Sequence, residues 1–505
     1  MSTFFSVPKS VITSVILSFL TWEDLQKSFP FIVRNRNRIL NQLNTFSSCM
    51  YEEDVISRCC NAQSIMILCG IVRAGQTQKV LTLNFLNHKR LLKLVLHIVD
   101  EITALGPLSS CAHLTHLDLR FNQQVSTLEP LSLCSSLTHL NMYANESVKT
   151  INALHSCSKL IYLNLHCNTL IATLDALRSC PSLTFLDLSH SEEITTLAPL
   201  STCSNLTHLN LHFNRKIRTI EELSRCCSKL TYLDLSFNFN IQTIEPLSSC
   251  SNLTYLDLSF NNEIKSIDAL SSCSKLNYLN LCCNNQITTL ESLSSCSSLT
   301  FLDLSFNTNI TLLDPLKSCS KLTTLGLRYN NKVSTLEPLS SCPNLSSLDL
   351  YHNDKVSTLQ PLSSCSRLTH LDLCHNDQIS TLQPLSSCSN LKFLDLSFNN
   401  EIRTLDSLSA CSSLTHLSLH LNEKVTGLEP LSSCSKLMYL NLGSSCQITT
   451  LEPLSLCTSL THLDLYSNHK ISLVQPLIHC SVLGFLALEG QTYRGKENIR
   501  IIVHR

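Results

Sequence analysis

The sequence predicts an α/β-type solenoid, a stack of similar units that each pair one short strand with one short helical turn. Three observations carry that expectation. A leucine returns every 23 residues through most of the 505-residue chain. After it, leucines alternate with polar or aromatic residues for the length of a short strand. Most prolines then fall at a single place in the unit, where a helical turn would begin.

The period is set by Leu114, Leu137, Leu160, Leu183 and Leu206, each 23 residues from the last. One extra residue at Cys226–Cys227 makes the step to Leu230 24, and the 23-residue spacing then holds to Leu483. This gives 17 units, with a degenerate eighteenth starting at Leu91. The unit reads L-T-x-L-D-L-S-x-N-x-x-I-x-T-L-x-P-L-S-S-C-S-x and is numbered from 1 at its first Leu. Composition follows from it: 98 Leu and 27 Cys stand against 9 Gly and 1 Trp. With 43% hydrophobic and only 15% charged residues, the chain is not of the disordered class. A net charge of −1 supplies no electrostatic footprint for nucleic acid or an anionic membrane. No apolar run reaches the roughly 18 residues a membrane-spanning helix requires.

Each position has a physical reason. Leu at 1, 4 and 6, with polar or aromatic residues at 3, 5 and 7, makes a strand with one apolar face. Position 9 is Asn in 14 of the 17 units, among them Asn122, Asn238 and Asn261, with Ser191, Ser445 and Gln491 as exceptions. A buried amide there can bond the backbone of the turn and of adjacent units. Ile or Val at 12 and Leu or Ile at 15 and 18 complete the inward set. Position 17 holds 11 of the 15 prolines. Phenylalanines at position 8, such as Phe121, Phe260 and Phe306, read as turn packing.

The unit resembles the leucine-rich repeat, whose signature is L-x-x-L-x-L-x-x-N/C-x-L. It departs in one place: the aliphatic residue after Asn comes one position later, at N-x-x-I/V. The resemblance implies a right-handed solenoid with a parallel sheet on its concave face and short helical or 3-10 turns outside. It covers about 400 residues.

Seventeen of the 27 cysteines stand three residues before the first Leu of a unit, from Cys111 to Cys480. A metal site is disfavoured, because no C-x-x-C occurs and identical rungs offer a line of sulfurs rather than a tetrahedron. Disulfides are disfavoured too, since the count is odd and each Cys has equivalent neighbours on both sides. Cysteine as a small buried hydrophobe is the expectation, in a reducing compartment. Localisation is accordingly expected to be cytoplasmic or nuclear.

Upstream, residues 7–25 read VPKSVITSVILSFLTWEDL, in which Val11, Ile12, Val15, Ile16, Phe19 and Leu20 share one helical face. A signal peptide is the rival, but the basic start is weak and no small-x-small site follows. The segment resembles the opening of an F-box. Val7-Pro8, Val11-Ile12, Ile16-Leu17, Ser18-Phe19-Leu20 and Asp24-Leu25 occupy the matching places, with Ser10 replacing the usual acidic residue. That resemblance implies a surface for a Skp-type linker of a cullin–RING ubiquitin ligase, formed by Pro8, Val11, Ile12, Val15, Ile16, Phe19, Leu20 and Leu25. A plain helical cap on the first rung is the alternative. The expected division is 1–45 for this segment, 46–90 for a cap or irregular linker, 91–490 for the repeats and 491–505 for a C-terminal cap. Val80–Asn87 alternates like a decayed rung. Gly70–Thr77 mimics a phosphate loop by chance, with Gln76 where the lysine is needed.

Partner binding is expected on the strands. Position 3 is aromatic or His in all units but those of Thr324 and Ser347, and position 5 is Asp in nine and Asn in five. Two stripes follow, marked by His116, Tyr232, Tyr255, Phe301 and His370 and by Asp118, Asp234, Asp257, Asp303 and Asp372. They suit a basic protein partner. Ring stacking and Asp/Asn bonding that merely hold rungs together would give the same pattern. Specificity is expected at the irregular stretch containing Arg328 and Tyr329. No catalytic, cofactor or metal site is expected, and the function read from the sequence is non-enzymatic protein interaction, as a ligase substrate adaptor or an intracellular scaffold.

Overall fold

The computed structural model describes residues 64–68, 91–97, 102–445, 447–471, 474–489 and 500–504, in two compact units, Met1–Leu186 and Asp187–Arg505. In the first unit, strand Ser64–Leu68 pairs in parallel with Lys93–His97, which pairs with His116–Asp118, followed by His139–Asn141 and Tyr162–Asn164. In the second, parallel pairing runs from His208–Asn210 through Tyr232–Asp234 and onward to His462–Asp464, Phe485–Glu489 and Arg500–His504. Register follows the repeat, so Tyr255 lies opposite Tyr278 and Asp257 opposite Asn280. Among the described residues no helix is long and apolar enough to cross a membrane.

Most strands are followed by a five-residue 3-10 turn, such as Glu245–Ser249 and Glu337–Ser341, with Pro in its first two positions. The turn's first free amide is capped by the residue at position 14: Glu245 N–H donates to Thr243 Oγ1 at 3.2 Å, and Glu337 N–H to Thr335 Oγ1 at 3.1 Å. The extra residue of the 24-residue unit is absorbed here, where Leu223–Cys226 is wound as an α-helical turn.

The inward face is shut off from solvent. Leu253, Leu256, Leu258, Ile264, Ile267, Leu270 and Cys273 are all fully buried, and the same seven positions are buried in the neighbouring rungs. Asn at position 9 sits among them and ties rungs together. The Asn261 amide donates to Leu235 O and Leu258 O at 2.9 Å each, and its carbonyl accepts from Asn238 N at 2.9 Å. These links are continuous from Ser191 to Asn330. Each satisfies backbone groups that the narrow turn would otherwise bury unpaired.

Position 8 carries a demand the sequence conceals. Sixteen non-glycine residues there adopt φ between 54° and 61°, including Phe260, Cys283, Phe306 and Tyr329. The left-handed backbone is disfavoured for L-residues by roughly 1–2 kcal/mol each. It is held by bonds such as Phe260 N–H to Cys282 O at 2.9 Å.

The cysteine ladder is buried, and its thiols reach backbone carbonyls: Cys273 Sγ lies 3.7 Å from both Leu247 O and Cys250 O. Burial pushes the Cys273 thiol up to about 11 and the Cys134 thiol to about 12. One pair departs from the expected thiol ladder. Cys227 and Cys250 are joined by a disulfide across a Cα–Cα distance of 5.1 Å. Adjacent rungs place cysteines within disulfide reach, and the inserted Cys226 changes the local turn at this step. A neutral alkylating reagent applied to the native chain should label half-exposed Cys167 and Cys283 well before any of the ladder thiols from Cys273 to Cys457. Site-resolved mass spectrometry checks this. Equal labelling of ladder and turn cysteines would contradict it.

Candidate partner-binding face

From His116–Asp118 to His462–Asp464 each described strand is three residues long, so positions 3 and 5 share one face while the leucine between them points into the core. Positions 3 stack. Tyr232, Tyr255, Tyr278 and Phe301 follow one another with centroids 4.3 Å apart and planes within 6–11°. In the first unit His116 and His139 stack at 4.2 Å. Near the end of the second, His370, Phe393, His416, Tyr439, His462 and Phe485 alternate at 5.7–6.4 Å.

The histidine tautomer is set by the residue before it. Thr369 Oγ1 donates to Ser346 O at 2.9 Å, so its 2.9 Å contact with His370 Nδ1 makes Nδ1–H the donor. Thr138 does the same for His139. Nε2 is left as the acceptor.

Position 5 carboxylates are partly buried and bonded at the root of the turn. Asp234 accepts from Ser236 Oγ and N at 2.6 and 2.9 Å, Asp257 accepts likewise from Ser259, and Asp303 accepts from Ser305 N at 2.8 Å. Burial raises the Asp234 carboxyl, the Ser236 bonds oppose the rise, and Asp257 on the next strand adds to it. Asp118 is paired with Arg120 at 2.8 Å. Asp372 is bound by Arg328 at 3.2 Å, and the same guanidinium pairs with Asp349 and lies 5.3 Å from the Tyr351 ring centroid.

The structure thus places Tyr232, Tyr255, Phe301, Asp234, Asp257 and Asp303 together on the second unit's sheet face, with His370 and Asp372 beyond the Thr324 and Ser347 strands and Arg328 reaching forward to Asp349 and Asp372 from the end of the Thr324 strand. His116 and Asp118 hold the same positions in the first unit. Tyr329 is elsewhere. Its left-handed φ of 57° turns it into a second aromatic row at position 8, beside Phe306 at 4.8 Å and His352 at 4.8 Å. From sequence, that row reads as turn packing. Its rings do pack on one another, as Phe237 and Phe260 do at 4.2 Å, yet Phe121 and Phe306 remain 36% and 40% exposed. Pro8, Val11, Ile12, Val15, Ile16, Phe19, Leu20 and Leu25 lie outside the described residues, as do Gly70–Thr77 and Val80–Asn87. Among the described residues no group of three or more His, Cys, Asp or Glu side chains could hold a metal.

Two titrations, one in each unit, act in opposite directions. Burial, with His139 and Lys93 adding, lowers His116 from 6.5 to about 4. Between those values the unfolded chain binds the proton and the folded chain does not, so stability rises with pH. Burial raises Asp372 from 3.8 to about 6, with Asp349 and Asp395 adding and the Cys374 amide and Arg328 opposing. In that window the folded chain holds the extra proton, so this group's contribution falls as pH rises. His116→Phe should therefore shrink the loss of stability on going from pH 7 to 4.5, read as the shift in urea midpoint. An unchanged shift would contradict the assignment.

Comparisons with known proteins agree with the fold. Family models described as leucine rich repeats match residues 110–127, 181–225, 228–272, 251–308, 320–364 and 366–410. No curated protein matches the chain. Among solved structures, a leucine-rich repeat protein of Leptospira interrogans is 22% identical with a TM-score of 0.58, covering 76% of this chain and 98% of its own. An internalin (inlF) of Listeria monocytogenes is 24% identical with a TM-score of 0.51, covering 70% of this chain and 88% of its own. The stacked parallel strands of the described residues agree with these matches: the repeats are leucine-rich repeats folded as a solenoid.

Proposed function

We propose that the chain is a non-enzymatic protein-interaction module whose strand face binds a basic protein partner, and that residues 7–25 join it to a Skp-type linker as a substrate adaptor of a cullin–RING ligase. Leucine-rich repeats generally serve as protein-interaction modules. The observation supporting the first part is the sheet face itself, where a rigid ring stack runs beside a row of carboxylates. Rigid aromatics give contact area at little entropic cost, and the carboxylate row favours cations. The second part rests on the sequence pattern around Ser18-Phe19-Leu20 and Asp24-Leu25, and it carries with it a cytoplasmic or nuclear location, where a reducing environment would return Cys227 and Cys250 to thiols.

A scaffold whose N-terminal part only extends and caps the repeats is favoured by one observation: Ser64–Leu68 already adds a strand to Lys93–His97. Titrating the full chain with a purified Skp-type linker separates the two. Micromolar or tighter binding that Phe19→Asp weakens at least tenfold supports the adaptor. Absence of binding by the wild-type chain leaves the scaffold.

A further inference from the structure

The ring stack of the second unit stops at Phe301. The next two strands carry Thr324 and Ser347 at the same register, and the rings resume at His370. Three strand steps of about 4.8 Å put His370 roughly 14 Å from Phe301. In a stack whose rings repeat at 4.3 Å, two rings are missing. The result is a slot with Phe301 at one side, His370 at the other and two short hydroxyl side chains at its base.

One edge of the slot is acidic. Gly326 occupies position 5 between Asp303 and Asp349. A Cβ on Gly326 would meet Asp303 Oδ1 at 2.5 Å, so the Asp303 carboxylate leans over the space that this glycine leaves. Asp303 makes no ion pair among the described residues, whereas Asp349 and Asp372 share Arg328. Arg328 displays what this surface holds well: a guanidinium between two position 5 carboxylates and against an aromatic ring. A guanidinium is flat enough to stack on Phe301 while its fork of donors reaches Asp303, and a second guanidinium at the far side of the slot can donate to the acceptor Nε2 of His370. An ammonium cannot stack in this way. A neutral aromatic side chain would leave Asp303 unpaired.

Building on the proposed binding of a basic partner, we propose that the slot between Phe301 and His370 is the anchor site of that interaction and receives arginine side chains of an extended protein segment. The test uses the full chain and a blocked peptide, Ser-Arg-Ser-Arg-Ser, beside counterparts with lysine or citrulline in place of arginine. Thr324→Phe with Ser347→Phe fills the slot with a residue that neighbouring strands already carry at this position, so the fold should be retained. The expected result is arginine peptide binding at least tenfold tighter than lysine or citrulline peptide. That binding should fall at least tenfold in the filled variant and change little in Asp234→Asn with Asp257→Asn. Asp303→Asn, nearly isosteric, should remove the preference for arginine even if the filled variant misfolds. Binding that survives filling of the slot but disappears in Asp234→Asn with Asp257→Asn overturns the slot and leaves the wider face intact. Failure of the wild-type chain to bind the arginine peptide overturns both the slot and the basic-partner reading.

Discussion

Asn261→Ala is expected to destabilise its part of the solenoid by roughly 3–5 kcal/mol. The substitution removes two donated bonds, to Leu235 O and Leu258 O, and the acceptor used by Asn238 N. Each buried polar group left without a partner costs about 1–3 kcal/mol, and some relaxation offsets the sum. The natural exceptions indicate how much can be recovered. Ser445 Oγ donates to Leu419 O at 2.8 Å, so a hydroxyl restores the bond to the preceding rung. Asn261→Ser should therefore cost less than Asn261→Ala. Urea unfolding of both variants checks the order, and hydrogen exchange at Asn238 and its neighbours should localise the loss, because rungs contact only adjacent rungs. Equal midpoints for wild type and Asn261→Ala would contradict the role given to the ladder.

The second large effect separates the two sides of the strand. Leu256 is fully buried beneath the sheet, and Leu256→Ala should cost about 3–4 kcal/mol through lost burial and the cavity left in a close-packed rung. Tyr255, one residue earlier, is half-buried on the opposite face between Tyr232 and Tyr278 at 4.3 Å. Its removal forfeits stacking with its two neighbours, each contact worth about 0.5–1.5 kcal/mol. Tyr255→Ala should therefore be the milder change, by about 1.5 kcal/mol at the midpoints of the two ranges. A reversed order would mean that the strand faces have been exchanged.

Periodicity decided which parts of this molecule could be read from its sequence. Leu at 1, 4 and 6 and Asn at 9 recur so often that strand, core face and amide ladder follow directly, and the structure carries them as expected. Rings at position 3 and carboxylates at position 5 were legible for the same reason. Position 8 was not. A left-handed turn is usually announced by glycine, and Phe, Cys, His and Tyr stand there instead. Thr243 and its equivalents cap the 3-10 turns from outside the positions where a helix cap is normally sought. Arg328 reaches carboxylates on the next two strands, a bridge set by side-chain placement and invisible to a one-dimensional pattern. The Cys227–Cys250 bond is likewise hidden: the inserted Cys226 marks the step as irregular, but nothing in the sequence says which neighbouring ladder cysteine Cys227 would join.

The central claim is that the outward strand face, with its carboxylate row, captures a basic protein. It is tested most directly by quantitative affinity capture with the full wild-type chain and with Asp234→Asn, Asp257→Asn, Asp303→Asn and Asp372→Asn combined, in the same lysate at the same salt. Matched circular dichroism would show that both forms keep the fold. The account predicts that proteins retained by the wild type are enriched in basic segments and fall at least tenfold with the neutralised face. Undiminished recovery of the same proteins by the neutralised chain would contradict it.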